Sequence, residues 1–343
     1  MEASLTPRQI AKNLLSGELP PRPLVLPIVF SLGAKVENVP VSAFLNNPTK
    51  IVSAARQLRN LLQADGIACY FDSYLEVEAL GANLRRGSPD EPPVVEWKCG
   101  AKVGELPEGM RSPEEAAHGG RVPVAAEVIR RMNALANRDF LLMASVSGPL
   151  ALAGRLTKTE KNEGAGVEDF SAAAWELASS VVTQVATTFL EAGADSIFIH
   201  DQIPCGLTTT SCEEWANLLA PVVNVTRFYE ALPVLQLGEG PAALKNWEII
   251  LQQPWECALC APDSIVSSQV LGGASATQAV ARGIALSRES CLTDNGRAAD
   301  RFSDLREAMT KSKPAILTTA GDVPFATDMK HLKKLFEEIP RGW

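Results

Sequence analysis

The sequence predicts a (β/α)8 barrel, the TIM-barrel architecture of the α/β class, and three observations predict it. Eight short apolar runs bounded by turn signals recur along the chain. Most are followed by a stretch with helical periodicity, and 343 residues suffice for one such barrel with insertions. Strands of a parallel sheet are covered on both faces, so they read as continuous apolar runs rather than alternating ones. The runs are PLVLPIVF (23–30), GIACYF (66–71), DFLLMASVSG (139–148), DSIFIHD (195–201), LPVLQLG (232–238), CALCAP (257–262), SQVLGG (268–273) and PAILTTAG (314–321).

Each element has a local reason. The N-terminal stretch MEASLTPRQIAKNLLSGELPPRP has no apolar signal core and reads as a short capped helix followed by a proline linker. Asn47 and Pro48 read as the N-cap and first helical residue before KIVSAARQLRNLLQA. After the second run lies an insertion over roughly 79–122, rich in Gly, Pro and charge. On the top face of a barrel such a segment is a lid or a partner surface, or else a solvated loop. FSAAAWELASSVVTQVATTFLEAG is a long helix stopped at Gly193. CALCAP and SQVLGG stand close together, which predicts a short sixth βα unit. ATQAVARGIALSRES (276–290) then reads as a helix, and TDMKHLKKLFEEI as the last one. With no internal repeat and no second unit in the pattern, the chain is expected to be one domain over 1–343.

Composition narrows the function. Apolar residues make up 46% and charged residues 21%, enough for a sizeable core. The net charge is −8 and no Lys/Arg block occurs, which argues against nucleic acid or an anionic membrane as partner. No apolar run approaches the ~20 residues needed to cross a bilayer. Seven scattered cysteines, an odd number, suit a reducing cytoplasm better than a disulfide scaffold. Cys257 and Cys260 form CxxC, but on a strand i and i+3 face opposite sides, so they are expected in the core.

In a barrel of this kind chemistry sits at the C-terminal strand ends. Read there, the runs end in Ser31, Asp72, Ser147, His200 with Asp201, Gln236 with Glu239, Asp263, the pair Gly272–Gly273, and Asp322. Acid continues beyond Asp72 at Glu76 and Glu78 in FDSYLEVEALG. Some of these carboxylates serve as helix N-caps, and Asp263 is expected to be one. A convergent cluster of the rest would raise at least one pKa and supply a general acid or base, or would hold a hard cation. The glycines of LGEG and LGGAS are tight turns or a phosphate cradle.

Four segments resemble one family. FDSYLEVEALG, SVSGPLALAGRL (145–156), EAGADSIFIHDQ (191–202) and PAILTTAGDVPFATDMKHLKKL, in that order, resemble the uroporphyrinogen decarboxylase superfamily, more closely its corrinoid-dependent methyltransferase branch. The resemblance implies a (β/α)8 barrel, an inward Asp201 and a central acid or substrate anchor at Asp72. Two departures stand out. The arginine-rich segment that follows the first strand in the decarboxylases is replaced by FSLGAKVENVP, and such arginines would pair a polycarboxylate substrate. The His-x-Cys pair and late Cys that hold zinc in the methyltransferases are replaced by Gln236-Leu237-Gly238 and Asp322. Zinc would lower an acceptor thiol's pKa, and no convincing zinc site remains to do so.

The leading expectation is therefore methyl transfer involving a corrinoid or a small-molecule methyl donor. One alternative is decarboxylation of a tetrapyrrole or small carboxylate, with Arg85, Arg86 or Arg155 reaching the mouth. Another is a non-catalytic barrel that binds a tetrapyrrole, corrinoid or protein partner. The expected catalytic residues are Asp72, Asp201 and Glu78. Gln236, Glu239, His200 and Ser147 are expected to bind substrate, and Glu239 and Asp322 to hold a divalent metal if one is used. A corrinoid protein is a candidate partner, and a homodimer is consistent with the resemblance.

Overall fold

The protein is described here from a computed structural model, which describes residues 5–85, 94–96, 106–135, 139–157, 171–202, 207–238, 241–263, 282–292, 313–337 and 339. In chain order the strands are β1 (Leu24–Leu26), β2 (Gly66–Tyr70), β3 (Asn83–Arg85), β4 (Val94–Glu96), β5 (Leu141–Ser147), β6 (Ser196–Asp201), β7 (Leu232–Leu237), β8 (Ala258–Pro262), β9 (Arg282–Leu286) and β10 (Ile316–Thr319). Eight of them form one parallel sheet in the order β1-β10-β9-β8-β7-β6-β5-β2. It curls into a nearly closed barrel with helices outside. The remaining two, β3 and β4, make an antiparallel pair within the expected insertion.

Asp65 joins the two ends of the sheet. Its backbone N–H donates to the Val25 carbonyl at 2.9 Å, and its carboxylate accepts from Val25 N–H at 2.9 Å. Arg22 holds that carboxylate through two bonds of 2.7 and 3.0 Å. Asp195 does the same job between β5 and β6: it accepts from Leu142 N–H at 2.8 Å and pairs with Arg8 at 2.8 Å. These acids precede their strands, so they brace the bottom of the barrel.

Side chains divide by strand alternation. Leu26, Met143, Phe198, Val234 and Ile316 fill the barrel, while Leu142, Ile197, Leu235 and Leu317 pack outward against the helices. Cys260 lies in the inner group and Cys257 in the outer one, as their spacing requires. The N-terminal helix, Pro7–Leu15, plugs the bottom with Ile10, Ala11 and Leu14. Burying Ile10 and Leu14 contributes roughly 1.5–3 kcal/mol each. Thr6 and Gln9 start that helix with a reciprocal capping box. Asn47 caps Pro48–Leu62 by accepting from Lys50 N–H at 3.1 Å. Gly193 ends Ala172–Glu191 with φ 102°, and a Cβ there would lie 2.3 Å from Asn133.

One element differs from expectation. The run SQVLGG lies outside the described residues, and the seventh barrel strand is β9, inside the stretch expected to be a helix. The sixth βα unit is therefore not short. RGIAL is brief, and Ala and Leu favour helices, so local propensity points the wrong way. Pairing decides instead: Gly283 sits between Cys260 and Ile316, and a Cβ on it would meet the Cys260 sulfur at 2.4 Å. Among the described residues no helix is long and apolar enough to cross a membrane.

Candidate active site

The strand-end carboxylates do not converge. Asp72 follows β2, and its Oδ2 lies 2.6 Å from Arg121 Nη2 with both side chains buried. That contact falls outside hydrogen-bond geometry, so it is chiefly coulombic. Asp72 Oδ1 accepts from Tyr74 N–H at 2.8 Å. The Nε of Arg121 donates to Glu78 at 2.6 Å, and its Nη1 approaches the Tyr70 hydroxyl at 3.5 Å. Burial opposes the charge of Arg121, but Asp72, Tyr70 and Glu78 more than offset this and raise its pKa. Asp72 and Glu78 are thus brought together, away from the barrel axis and on a buried guanidinium.

Arg121 was not singled out from sequence. Its signal is the Gly-Gly pair in HGGRVP. A Cβ on Gly119 would lie 2.4 Å from the Ala79 carbonyl, and one on Gly120 would lie 2.9 Å from Glu78. Only glycines let this turn approach the helix Leu75–Ala79 closely enough to deliver the arginine.

Asp201 turns outward with Ile197 and Ile199, correcting the expectation that it points into the barrel. It accepts from Ala151 N–H at 2.8 Å and Leu150 N–H at 3.4 Å, at the start of the helix Pro149–Thr157. It also accepts from Gln202 N–H at 3.0 Å and Trp215 Nε1 at 2.9 Å. Burial nevertheless lifts its pKa to about 6, the donors pulling the other way. The alternation that turns Asp201 out turns His200 in.

Two further acids tie strand ends together. The Asp322 carboxylate accepts from the Ser31 N–H at 3.0 Å and from the Ser31 hydroxyl, joining β10 to β1. Burial pushes it up to about 7, against the pull of these bonds. Asp263 accepts from Ser287 N–H at 3.0 Å and Ser290 Oγ at 2.8 Å, bracing β8 to the end of β9, and the residues that it was expected to cap lie outside the described ones. Glu239 lies outside the described residues. Among the described residues no group of three or more His, Cys, Asp or Glu is placed to hold a metal.

What does face the axis is a ring of uncharged polar groups. Ser145 and Ser147 on β5, His200 on β6 and Gln236 on β7 continue the inner face above Met143, Phe198 and Val234. Ser147 pairs in register with His200, and His200 with Gln236. Gln236 reaches across the barrel to donate from Nε2 to the Thr319 carbonyl at 2.6 Å. Phe71 stacks edge-on against His200, ring centres 5.1 Å apart. Burial, and to a smaller extent the charge of Arg155, lowers the His200 pKa to about 3, so the imidazole is neutral.

Beside the ring, Glu76 is fully buried and accepts from both Ser147 N–H and Ser147 Oγ at 2.8 Å. Ser147 Oγ in turn accepts from Arg155 Nη1 at 2.7 Å. Burial raises the Glu76 pKa, and the Ser147 bonds and Arg155 counter it. Of the two helix acids, Glu76 therefore touches the ring and Glu78 does not. Helix periodicity places them on different sides, but nothing in the sequence says which side meets β5.

With this arrangement in view, comparison with known proteins decides the family. Residues 6–227, more than half the chain, match the family described as uroporphyrinogen decarboxylase (URO-D). The chain belongs to the URO-D family. Among solved structures it is similar to a methyltransferase from Methanosarcina mazei, with a TM-score of 0.74 and 19% identity, covering 97% of this chain and 98% of that one. It also matches a putative vitamin-B12 independent methionine synthase from Listeria monocytogenes, with a TM-score of 0.49 and 11% identity, over 92% and 94% of the two chains. No curated protein matches the sequence. At 19% identity the likeness to the Methanosarcina structure bears on the fold alone, and the chemistry rests on the residues above.

Proposed function

We propose that this URO-D family member is an enzyme that seats a small molecule at the barrel mouth and catalyses methyl transfer. The observation that carries the reading is the uncharged ring of Ser145, His200 and Gln236 under Phe71. In a displacement the methyl group moves formally as a cation: the donor keeps the electron pair of the bond that breaks, the acceptor supplies the pair for the bond that forms, and the transfer depends on holding the two in line. A buried mouth with fixed hydrogen-bonding groups suits that positioning. With its pKa near 3, His200 orients a ligand by hydrogen bonding rather than acting as a base near neutral pH. Glu76, Ser147 and Arg155 fix the rim beside it.

A divalent metal does not fit the described residues. Asp322 is engaged by Ser31 and Asp201 by three backbone N–H groups and Trp215, while Gln236 offers a single neutral amide oxygen. No step is therefore routed through a metal. A corrinoid enters this reading as the methyl donor, a substrate.

One observation favours a second reading, decarboxylation of a carboxylate substrate: Arg155, one of the arginines that this reading requires, does reach Ser147. Against it, Asp72 is engaged by Arg121. The test is an anaerobic absorbance titration with methylcobalamin and a panel of methyl acceptors. Loss of the methyl–cobalt spectrum that requires His200 and Gln236 supports methyl transfer. A bound but unchanged spectrum supports a carrier barrel without turnover. Absence of binding sends the search to porphyrinogens and small carboxylates.

A further inference from the structure

Three buried polar atoms on adjacent strands have no hydrogen-bond partner among the described residues: Ser145 Oγ, His200 Nε2 and Gln236 Oε1. Ser145 and Gln236 are more than nine-tenths buried, at 8% and 3% exposure. Leaving a buried acceptor unpaired forfeits its hydration with nothing in return, so its persistence in a buried layer asks for a ligand. We propose that the mouth selects an uncharged ligand that donates hydrogen bonds, such as an amide, a lactam or a hydroxyl compound, and that Gln236 enforces the choice. The proposal rests on the mouth being the ligand site, and it adds which ligand chemistry that site accepts.

The orientation of the Gln236 amide sets this preference. A carbonyl only accepts, so the group facing Thr319 O at 2.6 Å is the NH2 of Gln236. Its Oε1 is therefore fixed as an acceptor and cannot exchange places with the donor. A ligand N–H or O–H satisfies it. A carboxylate placed there would meet an oxygen lone pair and find no hydrogen. His200 is neutral and offers an anion no countercharge. Arg155, whose charge is felt at His200, donates to Ser147 and lies over the Tyr74 ring at 5.5 Å. Its charge also disfavours a cationic ligand. Ser145 and His200 each complete a bond to whichever donor or acceptor the ligand presents, because a hydroxyl does both and a neutral imidazole has two tautomers.

The chain holds only three histidines, so labelling the imidazole Cε1 with 13C gives three signals, and the His200→Asn spectrum assigns the one that matters. The intact protein is titrated with acetamide, with acetate, which keeps its shape but is charged and has no donors, and with N,N-dimethylacetamide, whose methyl groups replace both donors. Acetamide is expected to shift the His200 signal saturably. Acetate and dimethylacetamide should bind about tenfold more weakly or worse. Gln236→Leu should lose the preference, and Gln236→Glu should weaken acetate further. Acetate binding as tightly as acetamide overturns the proposal and favours the carboxylate reading. A His200 signal that no probe moves also overturns it. The ranking of probes on the parent protein stands even if a Gln236 variant fails to fold. The methylcobalamin spectrum is read separately, so methyl transfer and ligand selection can fail independently.

Discussion

Replacing Arg121 by Met separates a structural role for Asp72 from a catalytic one. The Arg121 side chain is 6% exposed, that of Asp72 1% and that of Glu78 21%. Two carboxylates approach the guanidinium at 2.6 Å each. Removing the cation leaves the buried Asp72 carboxyl with the Tyr74 N–H as its hydrogen-bond donor among the described residues. Breaking a buried pair from one side costs about 3–5 kcal/mol, whereas replacing all members together costs far less. Arg121→Met is therefore expected to lose about 3–5 kcal/mol in urea unfolding, read from the midpoint at unchanged slope. The triple variant Arg121→Met, Asp72→Asn, Glu78→Gln should recover more than half of that loss. A single-variant loss below about 1 kcal/mol, or losses that simply add across the three sites, would refute the coupled cluster. The same variants bear on chemistry. Asp72→Asn should keep turnover in proportion to its folded fraction. A stable Asp72→Asn protein without turnover would restore Asp72 as the acid.

Three other outcomes follow from the same geometry. Gly148→Ala would put a Cβ 2.1 Å from the Asp201 carboxyl carbon, so a loss of about 1–3 kcal/mol is expected by thermal or urea unfolding; an unchanged midpoint would show that the clamp yields freely. Asp322 keeps its proton to about pH 7 in the fold but loses it near pH 4 when unfolded, so the native state binds more protons in between and stability falls as pH rises. Asp322→Asn should thus gain on the parent by on the order of 1 kcal/mol per pH unit across that window, and a flat difference curve would refute the shift. His200 has the opposite sign: its folded pKa near 3 lies below the unfolded value near 6.5, so stability is lost as pH falls from about 6.5 towards 3. Its NMR signal should stay at the neutral position down to about pH 4, and titration near 6.5 would show an exposed imidazole.

The sequence by itself determined the barrel, because a parallel strand buried on both faces must be an apolar run whatever surrounds it. Seven runs, from PLVLPIVF to PAILTTAG, mark strands by that rule, and Asn47, Pro48 and Gly193 mark helix ends by local backbone chemistry. β9 escaped the rule, since RGIAL becomes a strand only through its pairing with β8 and β10. The sequence also placed the carboxylates correctly at strand ends, but it could not say what they meet. Tertiary structure decided that Asp72 finds Arg121 from a turn 49 positions later, that Asp201 grips the helix after β5, and that Asp322 binds Ser31 beyond the end of the neighbouring strand β1. Whether a strand-end side chain faces the axis or the helices depends on the phase of each strand's alternation. One residue of phase exchanges His200 with Asp201, and only the packed barrel fixes it.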